Sequence, residues 1–117
     1  MKRILVVDDE PSTGELAAEY LRLSGFEAIL CPDAESALAL LRAGNRFDLA
    51  IVDKRMPGMS GIDLCQTLKL DPATKDMPVI MLSASVNPAT VDTGVNASLA
   101  KPFSPKDLAS AVRKVLG

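Results

Sequence analysis

Short apolar segments alternate with amphipathic ones along this chain, and this alternation restricts its possible folds more than any other feature. Apolar runs bounded by turn-forming or charged residues are typical of strands buried on both faces of a parallel sheet. Between them, apolar residues recur at helical spacing. The pattern predicts an α/β fold in which helices cover both faces of a five-stranded parallel sheet. The predicted strands are residues 3–7, 26–31, 47–53, 78–83 and 97–101.

Residues with strong positional preferences mark the ends of the predicted helices. Asp33 and Ser104 are predicted N-caps, whereas Gly25 and Gly44 lie just past the first and second helices. The third helix is predicted at 61–70. For a chain of this size, a flavodoxin-like doubly wound sheet with strand order 2-1-3-4-5 and right-handed crossovers is the common solution. We expect a single domain that spans residues 1–117.

The segment between the fourth and fifth predicted strands, residues 84–96, departs from the alternation. It contains Pro88, Gly94, two asparagines and several β-branched residues, which are all poor formers of helix interiors. It also has no clear apolar stripe. We therefore predict that the fourth helix is short, frayed or absent, and that this segment is the most mobile part of the backbone.

Composition and charge exclude several classes of protein. The net charge of −2 and the pI of about 5.0 argue against direct nucleic-acid binding. The apolar runs are too short for a membrane span or a signal peptide, so we expect a cytoplasmic protein with no membrane partner. The absence of histidine excludes an imidazole base, an imidazole metal ligand and a phosphohistidine. Cys31 and Cys65 are predicted to be buried thiols, not a disulfide or a metal pair.

Reactive side chains stand at the ends of four of the five predicted strands. They are Asp8-Asp9, Asp53, Ser83 and Lys101. Because parallel strands end at one edge of a sheet, these groups are expected to cluster. Crowded carboxylates repel one another unless a cation lies among them, and oxygen ligands suit Mg²⁺ or Mn²⁺. A carboxylate nucleophile, a divalent metal, an ammonium and a hydroxyl are the groups needed to form an aspartyl phosphate, with Asp53 as the attacking group.

Each of these residues also has an ordinary structural explanation. Asp9 could be a helix N-cap, and Asp53 could form an Asx turn at the end of a strand. Ser83 could satisfy backbone groups, and Lys101 could be a solvated surface lysine. Their shared position at strand ends favours a common site. Spacing alone supports a metal–carboxylate site on an α/β domain.

The motifs at these strand ends together resemble the receiver domain of two-component response regulators, and the match covers essentially the whole chain. The motifs are Val-Val-Asp8-Asp9-Glu10, Asp53-Lys-Arg-Met56-Pro57-Gly-Met-Ser-Gly61, Ser83-Ala84 and Lys101-Pro102-Phe103. The resemblance implies that Asp53 is the phosphoacceptor. It also implies that the donor is a phosphohistidine on a sensor histidine kinase or a histidine phosphotransfer protein.

The same resemblance implies roles for the neighbouring residues. Asp9, Asp53 and the backbone carbonyl of Arg55 would bind Mg²⁺, and Asp8 would assist through water. The phosphate-binding and switch residues would be Ser83, Ala84 and Lys101, with the Ser83 loop pulled inward on phosphorylation. We also predict that Arg55 tunes the rate of dephosphorylation, because it lies two residues after the phosphoacceptor.

The chain departs from the receiver pattern on the face that receivers use for output. Ser98 occupies the atypical switch position, where receivers usually carry tyrosine or phenylalanine. The segment between strands four and five is about one helical turn shorter than usual. We therefore hypothesise that residues 86–96 become ordered on phosphorylation or partner binding, in place of an aromatic rotamer change.

These observations favour a phosphoacceptor switch over two other functions. The switch would change the 84–103 face to control an unknown downstream protein, and would catalyse only its own phosphorylation and dephosphorylation. No output domain follows Gly117 in the given sequence, so output is expected through protein contact or phosphate relay, unless the sequence is a fragment of a longer chain. The alternative is a pseudo-receiver, a phosphorylation-independent interaction module, although the intact acidic residues argue against it. An aspartate-nucleophile phosphohydrolase is disfavoured, because its two aspartates would be separated by one residue.

Overall fold

The predicted alternation of strands and helices is present in the computed structural model, which describes residues 2–83 and 95–116. The strands are β1 (Arg3–Val7), β2 (Glu27–Cys31), β3 (Leu49–Asp53), β4 (Val79–Ser83) and β5 (Ala97–Ala100). The helices are α1 (Pro11–Leu23), α2 (Ala34–Arg42), α3 (Gly61–Leu70) and α4 (Pro105–Leu116). The described residues thus form an α/β fold with the predicted succession of strands and helices.

The sheet is parallel throughout, and its strand order is β2-β1-β3-β4-β5, as predicted. Val7 at the end of β1 lies opposite Val52 of β3. Asp53 in turn lies opposite Leu82, one residue before the end of β4. The carboxyl ends of β1 and β3 are therefore adjacent at the point where the chain reverses its direction across the sheet.

Two apolar layers cover the sheet, one on each face. One face packs against α2 and α3, which bury Leu38, Leu64 and Leu68 among the side chains of β1, β3 and β4. The other face packs against α1 and α4, which bury Leu21 and Leu108. With helices on both sides, the central strands β1, β3 and β4 are buried on both faces, which explains their nearly continuous apolar sequences.

The predicted ends of four strands were wrong by one or two residues. Residues 26, 47–48, 78 and 101 lie outside the strands. Asp48 precedes β3 because its carboxylate accepts a hydrogen bond from the Arg3 backbone N–H at 2.7 Å, while the Phe47 ring stacks under the Arg3 guanidinium. Pro78 precedes β4 and has no N–H to donate. A side-chain contact and proline chemistry therefore account for the late starts of β3 and β4.

The helix caps follow the predicted chemistry. The Asp33 carboxylate accepts a hydrogen bond from the Ser36 backbone N–H at 2.7 Å, and the Ser104 hydroxyl accepts one from the Asp107 N–H at 3.0 Å. Gly25 and Gly44 adopt φ values of 94° and 98°, which favour glycine. Asp33 and Ser104 are thus confirmed as N-caps, and both glycines lie past helix ends.

Residues 84–94 lie outside the described residues. The prediction of a short or absent helix in segment 84–96, the prediction of backbone mobility there and the hypothesis about residues 86–96 therefore concern a part of the chain that the structure does not describe. Among the helices of residues 2–83 and 95–116, none combines the length and the apolar character needed to cross a membrane.

Candidate functional site

Backbone hydrogen bonds bring the polar residues at the strand ends together. The Asp8 N–H donates to the Cys31 carbonyl at 3.1 Å, and the Lys101 N–H donates to the Ser83 carbonyl at 2.9 Å. These bonds continue the parallel ladder past the ends of the strands, so the backbone at Asp8 and Lys101 is fixed. As predicted from the strand pattern, the polar groups therefore gather at one edge of the sheet.

Lys101 lies at the centre of a group of carboxylates. Its Nζ atom is 3.2 Å from Asp53 Oδ1, 3.3 Å from Asp8 Oδ2 and 3.9 Å from Glu10 Oε1. The Lys101 side chain is only 17% exposed, whereas that of Glu10 is 62% exposed. The alternative that Lys101 is a solvated surface lysine was therefore wrong, because its ammonium group is enclosed by acidic side chains.

Burial and charge change the acidity of the central groups. Burial, followed by the nearby Asp8 carboxylate, raises the pKa of Asp53 to about 6, although Lys101 acts in the opposite direction. The neighbouring Asp9 carboxyl group also raises the pKa of Asp53, by a smaller amount. Burial alone would lower the pKa of Lys101, but the carboxylates of Asp8 and Asp53 outweigh it and raise that pKa. The site thus concentrates negative charge around one ammonium group.

The carboxylates form a group that fits a hard divalent cation. Oxygens of Asp8, Glu10 and Asp53 all lie within 4.8 Å of one another. Asp8 and Asp53 are almost fully buried, and an all-oxygen donor set matches the preference of Mg²⁺ and Mn²⁺. An added cation would also relieve the repulsion that raises the pKa of Asp53. The residues present therefore fit the predicted metal.

Three acidic residues, Asp8, Asp9 and Glu10, connect β1 to α1. Glu10, not Asp9, is the N-cap residue of α1, and the Glu10 N–H donates to Asp8 Oδ1 at 2.9 Å. The alternative that Asp9 is a helix cap was therefore wrong. Glu10 had been quoted only as part of the motif and had not been predicted as a site residue. Its position next to two site aspartates, at the start of a helix that packs beside Asp8, was the available signal.

The loop between β3 and α3 is held close to Asp53. A Cβ atom at Gly61 would clash with the Asp53 backbone carbonyl oxygen, and the Gly61 N–H donates to the Lys54 carbonyl at 3.0 Å. Gly58 has a φ of 75°, where glycine is favoured. Met56 anchors the loop in the core, while the Arg55 side chain is exposed. These contacts fix the backbone that carries Asp53.

Two more of the predicted site residues lie on β4 and β5. Ser83 ends β4 and is buried, and its carbonyl bonds to the Lys101 backbone. Ser98 is half-buried on β5 opposite Met81 of β4, one strand beyond Ser83. Ala84 lies outside the described residues. The roles predicted for Arg55, Ser83, Ala84 and Ser98 remain predictions.

Comparison with known proteins decides the family. Residues 4–113 match the family model described as response regulator receiver domain. The chain belongs to this family. The resemblance stated from the four motifs is thus confirmed. The chain is a receiver domain of a two-component response regulator, a signalling module.

Individual relatives agree with this assignment. DNA-binding response regulator MtrA of Mycolicibacterium smegmatis is 39% identical over 116 residues, which are 96% of this chain and 49% of that protein. The chain thus spans about half the length of the curated relatives it matches. Chemotaxis protein CheY4 of Vibrio cholerae has a TM-score of 0.92 at 29% identity, covering 98% of both chains. Response regulator TrrA of Thermotoga maritima, solved with Mg²⁺ and BeF, has a TM-score of 0.87 at 35% identity, covering 98% of this chain and 99% of that chain.

Proposed function

We propose that this receiver domain accepts a phosphoryl group on Asp53 from a phosphohistidine of a sensor histidine kinase or a histidine phosphotransfer protein. The observation that carries the proposal is the Asp53 carboxylate at the end of β3, 5% exposed, with the Lys101 ammonium 3.2 Å away. An aspartate in this setting has both a fixed position and a cation ready for the oxygens of an incoming group.

Asp53 is suited to act as the nucleophile near neutral pH. With a pKa of about 6, it is mainly ionised above pH 7 and still more basic than an ordinary aspartate. One of its oxygens would form a bond to phosphorus as the bond from phosphorus to the donor nitrogen breaks. The electron pair of the broken bond stays on that nitrogen. The product would be a mixed anhydride of aspartate and phosphate.

The surrounding groups would hold the transferred oxygens and the metal. Lys101 would bind phosphoryl oxygens, and we assign the same role to the Ser83 hydroxyl at the end of the neighbouring strand. Asp9, Asp53 and the Arg55 carbonyl would hold Mg²⁺ or Mn²⁺, assisted by the buried Asp8 carboxylate. The metal, when bound, supplies positive charge next to the transferred oxygens. The structure of TrrA with Mg²⁺ and BeF supports this assignment by likeness.

We propose that this chain acts in the cytoplasm by protein contact through the 84–103 face and does not itself contact nucleic acid. The DNA binding in the name of MtrA refers to that protein, about half of which corresponds to this chain. A switch of this kind is a population shift that phosphorylation of Asp53 would drive. A pseudo-receiver, which would need no phosphoryl group, is the competing function.

Intact mass spectrometry tests the proposed modification. The protein is incubated with Mg²⁺ and a phosphohistidine donor, or with phosphoramidate as a small substitute, and peptide mapping locates the modification. We expect a gain of one phosphoryl group on the peptide that contains Asp53. The gain should be absent in Asp53→Asn and after treatment with a chelator, and hydroxylamine should remove it. An unmodified protein in the presence of Mg²⁺ would favour the pseudo-receiver.

A further inference from the structure

A cavity of about 350 Å³ opens beside the carboxylate site, between the start of α1 and the loop that joins β5 to α4. Its wall is largely apolar. The lining residues are Glu10, Thr13, Leu16, Lys101, Pro102 and Phe103. The volume is within the range of small-molecule sites. Because Lys101 contacts Asp53 and also lines the cavity, the cavity adjoins the position where a phosphoryl group would be transferred.

Glu10 belongs to both the carboxylate site and the cavity. Its carboxylate lies 3.9 Å from Lys101 Nζ, and one of its oxygens is within 4.8 Å of oxygens of Asp8 and Asp53. Asp8 and Asp53 are buried, whereas the Glu10 side chain is 62% exposed and lines the cavity. Glu10 therefore places a negative charge at the boundary between the transferred phosphoryl group and whatever occupies the cavity.

We infer that Glu10 selects phosphoryl donors by the charge of their leaving group, which occupies this cavity during transfer. The inference rests on the proposed function. A leaving nitrogen that carries hydrogen can donate a hydrogen bond to the Glu10 carboxylate, and any positive charge on it is stabilised there. A leaving carboxylate would instead meet a like charge. Glu10 thus favours donors with a phosphorus–nitrogen bond over acyl phosphates.

Two small donors, phosphoramidate and acetyl phosphate, differ in the leaving group that Glu10 would meet. With phosphoramidate, an Asp53 oxygen bonds to phosphorus, the phosphorus–nitrogen bond breaks, and the electron pair stays on a nitrogen that already carries three hydrogens, so ammonia leaves. With acetyl phosphate, the phosphorus–oxygen bond breaks and its electron pair stays on the oxygen of acetate. The acceptor, the metal and the transferred group are the same, so only the leaving group differs.

The test uses intact mass spectrometry to measure the rate constant for phosphorylation of each variant by each donor at saturating Mg²⁺. The ratio of the two rate constants is then compared between variants. Glu10→Gln is expected to lower the ratio of the phosphoramidate rate to the acetyl phosphate rate about tenfold, the size of one charge contact at a partly solvated position. Glu10→Asp keeps the charge and should retain most of the wild-type preference. Glu15→Gln, an exposed carboxylate on the same helix, is the matched control and should leave the ratio unchanged.

Ionic strength provides a second readout that a structural role would not change. Because Glu10 is largely exposed, the difference between wild type and Glu10→Gln should shrink at high salt. An unchanged ratio, an equal fall of both rates, or a Glu10→Asp variant that behaves like Glu10→Gln would overturn the inference while leaving phosphorylation of Asp53 intact. Failure of both donors to modify the wild type would overturn the proposed function, and this inference with it.

Discussion

Replacing Asp53 by asparagine is expected to stabilise the metal-free protein at neutral pH, although it removes the proposed nucleophile. The Asp53 side chain is nearly buried beside the Asp8 carboxylate, and these surroundings disfavour its ionised form. Asparagine has nearly the same shape and no charge, and its carbonyl oxygen still accepts a hydrogen bond from Lys101. The variant should therefore lose the unfavourable charge and keep most of the packing.

The size of this effect follows from the pKa of Asp53. A rise from the ordinary 3.8 to about 6 means that ionisation is less favourable in the folded protein by about 3 kcal/mol. The contact with Lys101 is already contained in that pKa. We therefore expect Asp53→Asn to raise the free energy of unfolding by about 3 kcal/mol at pH 7.5 in the absence of divalent cations.

The pH dependence has a definite sign. Between pH 3.8 and about pH 6 the folded protein holds the Asp53 proton while the unfolded chain has released it, so this group makes stability fall as pH rises through that window. Below the window both states are protonated and the group contributes nothing. The advantage of Asp53→Asn should therefore be small near pH 3.5, grow towards pH 6 and stay constant above it.

Urea unfolding of wild type and Asp53→Asn in a chelator, at a series of pH values, measures the difference directly. Asp76→Asn is the matched control, because Asp76 is exposed at the opposite end of the sheet, and should change stability by less than about 0.5 kcal/mol. Mg²⁺ at about 100 times its Kd should stabilise the wild type by about 2.7 kcal/mol and nearly close the gap. A variant less stable than wild type at pH 7.5, or a difference independent of pH, would contradict the raised pKa of Asp53.

Three further substitutions test the contacts around the site, each by urea unfolding. Lys101→Met leaves two buried carboxylates without their cation, so it should cost about 3 kcal/mol at pH 7.5 and less at pH 4; an equal loss at both pH values would contradict the ion-pair account. Gly61→Ala forces a Cβ atom into the Asp53 carbonyl and should cost about 1–3 kcal/mol, with weaker Mg²⁺ binding. Ser104→Ala removes the cap of α4 and should cost about 1 kcal/mol with Mg²⁺ affinity unchanged, because the Ser104 hydroxyl bonds to the Asp107 N–H.

The fold could be predicted from the sequence because local and global signals agree. The strands that are buried on both faces read as continuous apolar runs, and the caps at Asp33 and Ser104 stand where helices begin. At the starts of β3 and β4, a side chain takes the place of a backbone partner. Asp48 bonds to the Arg3 N–H before β3, and the Asn96 side chain accepts a hydrogen bond from the Val79 N–H at the start of β4. Contacts between residues so distant in sequence leave no trace in a local pattern.

The clustering of the site could be predicted for the same reason, whereas its internal arrangement could not. Parallel strands end at one edge, which is enough to bring Asp8, Asp53 and Lys101 within ion-pair distance. Whether Glu10 also joins them depends on the exact start of α1, where Glu10 proved to be the N-cap. A shift of one residue there changes which carboxylate faces the cluster, so the contribution of Glu10 required the three-dimensional structure.

The most direct test of phosphoryl acceptance at Asp53 is an amide NMR spectrum recorded with Mg²⁺ before and after addition of beryllofluoride. If Asp53 is the phosphoacceptor, we expect large shifts at Asp53, Ser83 and Lys101 that are absent in Asp53→Asn. The same spectra show whether the amides of residues 86–96 respond. A wild-type spectrum unchanged by beryllofluoride, in a protein that does not bind Mg²⁺, would contradict the proposed phosphoacceptor and support an interaction module that works without phosphorylation.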